Sequence, residues 1–231
     1  MGSRRTSGFA LFVSIALTTH VCAFGQTAEK PTGGSSSSRQ SHSSSKLPNS
    51  SPEARSPDLG SVRDGVYRNA AFGISYKIPF GWVQRTDTMH DASASQPGKA
   101  FVLLAAFERP PEATGDSVNS AVVITAESVS EYPGLDQAVD YFDVVDEATS
   151  SKGFKVLNPP YEFPVGTKKL ARGDYSRKLG DDLTMYQGSL VTLEQGYVIS
   201  FTFIAGSEDE LESLIMDLKL GPASKRPAVP K

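Results

Sequence analysis

The chain has 231 residues, a formal net charge of −3, three histidines and a single cysteine. Net charge is uneven: from Ser61 to Gly221 there are 14 basic and 23 acidic side chains, a balance of −9. An acidic domain repels phosphate backbones, so no nucleic-acid partner is expected, and one cysteine excludes disulfides, four-cysteine zinc sites and iron–sulfur clusters.

Residues 1–25 read as a cleavable signal peptide. Arg4 and Arg5 precede an apolar run, Phe9 to Leu17, which suits a signal core and is too short to span a bilayer as a helix. Small residues place cleavage after Ala23 or Gly25, and either cut removes Cys22, the one thiol. Ser7 stands where a twin-arginine signal carries a large apolar residue. Thr19-His20-Val21 does not prepare Cys22 for lipidation. The expected product is therefore exported, periplasmic or secreted, with no transmembrane segment in the mature chain.

Residues 26–62 are rich in serine, proline and glycine and nearly free of large apolar side chains. Such a segment cannot bury enough surface to offset its ordering entropy, so a disordered tether is expected. Residues 222–231 read as a flexible tail. Between them, 63–221 reads as a single α+β domain, long enough for a core without disulfides.

Within that domain, Val66 to Asn69 and the alternating Phe72-Gly73-Ile74-Ser75-Tyr76-Lys77-Ile78 predict strands, ended by a turn at Pro79-Phe80-Gly81-Trp82. Asp87 to Gly98 reads as a polar loop. Ala100 to Phe107 and Ala121 to Ala126 are apolar enough for central strands. Leu135 to Ser151 predicts a helix with an apolar stripe of Leu135, Ala138, Val139, Phe142 and Val145, stopped by Gly153. Phe154 to Leu157 is a short strand before Pro159-Pro160. Strands follow over Lys168 to Arg177, Leu183 to Leu193 and Tyr197 to Ala205, the last two in a hairpin around Glu194-Gln195-Gly196. Ser207 and Glu210 form a capping box that opens a final helix carrying Leu211, Leu214, Ile215 and Leu218. Strand runs joined by hairpins imply a mainly antiparallel sheet flanked by helices.

The stretch Val66-Tyr67-Arg68-Asn69 … Phe72-Gly73-Ile74-Ser75-Tyr76-Lys77-Ile78-Pro79-Phe80-Gly81-Trp82 resembles the opening of PsbP-like domains. The hairpin from Thr184 to Ala205, the capped helix and Leu218-Lys219-Leu220 resemble their close. The resemblance covers about Val66 to Leu220 and implies an α-β-α sandwich around an antiparallel sheet. It implies no catalytic residues, since the group includes an extrinsic photosystem II protein, a nuclear-import accessory factor and many bacterial envelope proteins.

No residue cluster forms a recognisable catalytic site. His90 is the one histidine of the domain, and no Gly-x-Ser-x-Gly elbow accompanies it. Gly-rich phosphate loops are absent, and no cofactor or metal is implied. Two charged features stand out. Asp136, Asp140, Asp143 and Glu147 fall at i, i+4, i+7 and i+11, which would align four carboxylates along the first helix as a docking face for a basic partner. Lys168, Lys169, Arg172, Arg177 and Lys178 form a basic stretch, with Lys168, Arg172 and Lys178 expected on one strand face and Lys169 and Arg177 on the other. Asp146, beside Val139, is expected to pair with an Arg or Lys. The reading is an exported, non-enzymatic binding or accessory module of the cell envelope with a protein partner. A small-ligand carrier and a carboxylate-dependent hydrolase are the alternatives, the latter needing two acids in one cleft.

Overall fold

The computed structural model describes residues 56–94 and 100–223; the leader, nearly all of the tether and most of the tail lie outside the described residues. In chain order the elements are β1 (Ser61–Arg63), β2 (Val66–Asn69), β3 (Ile74–Lys77), β4 (Val83–Gln84), α1 (Thr86–Ala94), β5 (Phe101–Phe107) and β6 (Ala121–Ser128). Two 3₁₀ turns follow (Val129–Glu131 and Ala138–Tyr141), then α2 (Phe142–Ser151), β7 (Lys155–Val165), β8 (Lys168–Lys178), β9 (Thr184–Glu194), β10 (Tyr197–Ala205), α3 (Glu208–Met216) and β11 (Leu218–Leu220). The strands form two sheets, a seven-stranded one ordered β4-β5-β6-β10-β9-β8-β7 and a four-stranded one ordered β1-β2-β3-β11. Every pairing is antiparallel. The fold is α+β, as the hairpin-rich order of the sequence implies.

Period-two alternation divides the large sheet between two cores. Ile199, Phe201 and Phe203 of β10 face one way with Val122 and Ile124 of β6, and meet Tyr67, Ile74 and Tyr76 of the small sheet and Leu211, Leu214 and Ile215 of α3. Val198 and Ile204 face the other way with Val123 and Val191, and meet Tyr141, Phe142 and Val145. The helices thus lie on both faces, and the four-stranded sheet shares one face with α3. In β5 the register shifts between Val102 and Leu104, so Leu103 is the extra residue of a bulge. Val102 and Leu104 fall in opposite cores, and Leu103 joins Leu104.

Four elements depart from the sequence reading. The stretch read as a polar loop contains α1, fixed to the sheet where Ala105 N donates to Thr86 Oγ1 at 3.0 Å. Strand β7 continues through Pro159 and Pro160. It is the edge strand, its register with β8 shifts between Asn158 and Tyr161, and an edge position spares prolines the loss of ladder hydrogen bonds. The helix expected from Leu135 begins later, with a 3₁₀ turn from Ala138 and α-helix from Phe142. Strand β1 starts at Ser61, inside the segment read as tether, and Pro57 is already buried. Tyr67 Oη donates to Leu59 O and Asn69 Nδ2 to Asp58 O, which moors this entry segment.

Candidate functional site

Asp136, Asp140, Asp143 and Glu147 are all exposed, but they do not share one helix. Asp136 precedes the 3₁₀ turn. Asp140 is a capping group, its carboxylate accepting from Gln137 N at 3.0 Å. Asp143 and Glu147 stand four residues apart on α2, on its solvent side. Among the described residues, the carboxylates of Asp136, Asp143 and Glu147 meet no cation. Val139, read as part of the buried stripe, is 42% exposed between Asp136 and Asp143. The buried side of this segment is instead Tyr141, Phe142, Val145 and Thr149. Asp146 pairs with a hydroxyl instead of a cation: Tyr175 Oη donates to its Oδ1 at 2.6 Å.

The five basic residues of β8 do not form one surface. Lys168 is half-buried and pairs with Glu194 at 2.5 Å, while Lys169 meets Glu162 at 2.9 Å in solvent. Arg177 donates to Lys152 O at 2.9 Å and lies 5.5 Å from the Phe154 ring centre. Lys178 is exposed. Arg172 is 3% exposed. Its Nε donates to Asp174 Oδ1 at 2.8 Å, its terminal nitrogens hold both oxygens of Glu212 on α3, and its guanidinium lies 4.7 Å from the Phe163 ring centre. Asp174 also accepts from Asn158 Nδ2 at 3.2 Å and Tyr161 Oη at 3.3 Å. Burial pulls the Arg172 guanidinium down, but hydrogen bonds to Glu212 and Asp174 and their charges raise it further above its usual value.

Sequence reasoning missed a second buried cluster. Glu127, at the end of β6, is 6% exposed. Tyr141 Oη donates to its Oε1 at 2.8 Å, and Tyr132 Oη donates to its Oε2. The two tyrosine rings cross edge to face at 5.1 Å. Burial pushes the Glu127 carboxyl up, and the two donors pull it part of the way back. Burial and the neighbouring Glu127 charge raise both tyrosines well above the usual phenol value. The only sequence signal was an acid interrupting the apolar face of β6, with two tyrosines in the segment that follows.

His90 lies on α1 instead of in a loop, half-buried with its ring 6.2 Å from that of Phe101. Asp181 and Asp182 are exposed in the turn between β8 and β9, and Trp82 is half-buried against the core. Among the described residues, no group of three or more His, Cys, Asp or Glu side chains gathers as metal ligands would, and no helix is long and apolar enough to cross a membrane.

The architecture is that of an antiparallel sheet held between helices, with its internal acids tied to tyrosines, amides and an arginine. Among solved structures, the chain is similar to cyanobacterial PsbP (CyanoP) from Synechocystis sp. PCC 6803, at 17% identity and a TM-score of 0.45, covering 71% of this chain and 99% of that one. It is also similar to LpqN of Mycobacterium tuberculosis, involved in cell envelope biogenesis, at 15% identity and a TM-score of 0.35, covering 64% of this chain and 83% of that one. A protein of unknown function from Pseudomonas aeruginosa, PA94, matches at 18% identity and a TM-score of 0.34, over 69% of this chain and 97% of the other. Likeness at this level concerns the course of the chain alone. No family model and no curated protein matches the sequence.

Proposed function

We propose that this chain is an exported, non-enzymatic accessory module of the cell envelope that holds a basic protein partner against the segment from Asp136 to Glu147. The observation that carries the reading is Val139, exposed in a stretch whose carboxylates at Asp136, Asp143 and Glu147 meet no cation among the described residues. An apolar contact with acidic groups about it suits a protein surface of opposite charge, because the charges steer the encounter and the apolar contact slows dissociation. The domain's net charge of −9 adds to the attraction at long range. Export rests on Arg4, Arg5 and the apolar run from Phe9 to Leu17. A purely binding role accords with the use made of the internal acids. Glu127, Asp146 and Asp174 each accept from tyrosine, asparagine or arginine donors within the fold.

The test is photo-crosslinking in intact cells from a probe residue at position 139. A discrete adduct is expected, lost in Asp143→Lys/Glu147→Lys and retained in Asp209→Lys, which alters an exposed acid of α3. The absence of an adduct, or one indifferent to the α2 charges, would sink the reading.

A further inference from the structure

Alternation in the four-stranded sheet sorts its side chains sharply. Tyr67, Asn69, Ile74, Tyr76, Leu218 and Leu220 are buried. The intervening positions point outward, and four of them are cations: Arg63 on β1, Arg68 on β2, Lys77 on β3 and Lys219 on β11, all exposed. Register fixes their arrangement in two cross-strand rows. One runs Arg63, Val66, Lys77 and the other Ser61, Arg68, Ser75, Lys219. No acid occupies either row; Asp64 in the β1–β2 turn and Asp217 at the end of α3 border them. Among the described residues, Arg63, Arg68 and Lys77 have no acidic partner, and Lys219 donates to the backbone carbonyl of Met216. A domain of net charge −9 thus keeps four of its 14 cations on one small sheet face.

The end of this face is apolar and exposed. Beyond Lys77 the chain turns at Pro79-Phe80-Gly81-Trp82, closed by Trp82 N donating to Pro79 O at 3.3 Å, with Gly81 at φ 83°. Phe80, at the tip, is the most exposed large apolar side chain described, with a relative exposure of 106%. Lys77 N donates to Asp217 O at 3.3 Å, joining the end of β3 to the end of α3, where Met216 is 71% exposed.

We propose that the outer face of the four-stranded sheet, with Phe80 at its end, is a docking surface for an anionic phospholipid bilayer. The exposed cations supply attraction to the headgroups, the phenyl ring enters the interface, and the acidic remainder of the domain orients this face toward a negative surface. The surface goes beyond the protein-binding reading, since α2 packs on the opposite face of the large sheet.

Trp82 provides the test, being the only tryptophan of the chain and two residues from Phe80. The mature chain, without residues 1–25, is titrated with vesicles of phosphatidylglycerol and phosphatidylethanolamine carrying brominated acyl chains, and with brominated phosphatidylcholine vesicles. Quenching of Trp82 is expected on the anionic vesicles and not on the zwitterionic ones. Arg68→Glu/Lys77→Glu replaces two cations by acids, so apparent affinity should fall by more than about 25-fold, at roughly fivefold for each cation lost. Phe80→Ser should lower it about tenfold. Lys155→Glu/Lys178→Glu, which alters exposed cations elsewhere, should leave it unchanged. All these side chains are exposed, and circular dichroism verifies that the variants fold. Sedimentation with the vesicles while Trp82 stays unquenched would mean attachment through another part of the chain and would overturn the proposal. Equal quenching on zwitterionic lipid, or self-association through this face with no response to vesicles, would overturn it as well.

Discussion

Tyr141 closes over Glu127, its hydroxyl 2.8 Å from the carboxylate at the end of β6, and so fastens the 3₁₀ turn before α2 to the large sheet. Burial raises this carboxyl above the ordinary value of 4.5, so the folded state binds the proton more tightly than the unfolded chain does. Stability from this group is therefore fully present below about pH 4.5 and is lost as pH rises through the raised folded value. Glu127→Gln cannot ionise. Its melting temperature relative to the parent should climb as pH increases from 4 to 8, and a difference independent of pH would contradict the assignment. Tyr141→Phe removes one donor from a buried charge. It should cost about 1.5–3 kcal/mol in urea unfolding at pH 7, and less at pH 4.

Arg172 and Asp174 lie two residues apart on the side of β8 that α3 covers and meet at 2.8 Å, whereas the Glu212 side chain that completes the cluster is 51% exposed. The three substitutions should therefore rank unequally. Arg172→Ala strands Asp174 in the interior and should cost about 3–5 kcal/mol. Asp174→Ala should cost about as much, since Asn158 and Tyr161 also lose an acceptor. Glu212→Ala removes a partner that water can replace, and should cost at most about 1 kcal/mol. Chemical denaturation of the three variants checks the order, and an equal cost at Glu212 would refute it.

Ser207 caps α3 by accepting from Glu210 N at 3.2 Å. Glu210 in turn accepts from Ser120 Oγ at 2.6 Å and Gly206 N at 2.9 Å, fixing the helix to the loop before β6. Ser207→Ala should cost about 1 kcal/mol. Glu210→Ala loses both of these bonds as well as the favourable charge at the helix start, and should cost more. Thermal unfolding of the pair gives the comparison.

The parts of the fold legible in the sequence are those whose determinants lie close together in the chain. The hairpin around Gln195-Gly196 and the Ser207 cap are local motifs, and β10 spans the expected Tyr197–Ala205. The α1 helix was not legible, since its polar sequence has few apolar positions and its start is held by Thr86 meeting Ala105, 19 residues away. The acidic strip assumed an unbroken helix from Leu135. Asp140 instead caps a 3₁₀ turn, whose 120° advance per residue breaks the spacing on which the alignment relied. Arg172 read as one of five surface cations because its partner Glu212 lies 40 residues away on α3. Alternation assigned its side of the strand, but not that α3 would cover that side.

Gly173 shows how closely the α2 layer meets the large sheet. A Cβ on this residue would lie 2.7 Å from Phe142 Cε1 and 3.0 Å from Tyr175 Oη, the hydroxyl that donates to Asp146. Both neighbours are rings wedged in the second core, so neither yields without moving α2. Gly173→Ala should therefore cost about 1–3 kcal/mol, like other overpacked cores, and weaken the Tyr175–Asp146 bond. Gly188, on the neighbouring strand, faces the other core, where the nearest atom to such a Cβ is the tip of Ile215 at 3.1 Å. A terminal methyl can rotate aside, so Gly188→Ala should cost clearly less. Urea midpoints of the two variants decide the matter, since equal costs would mean that α2 does not seat on β8 as closely as Gly173 requires.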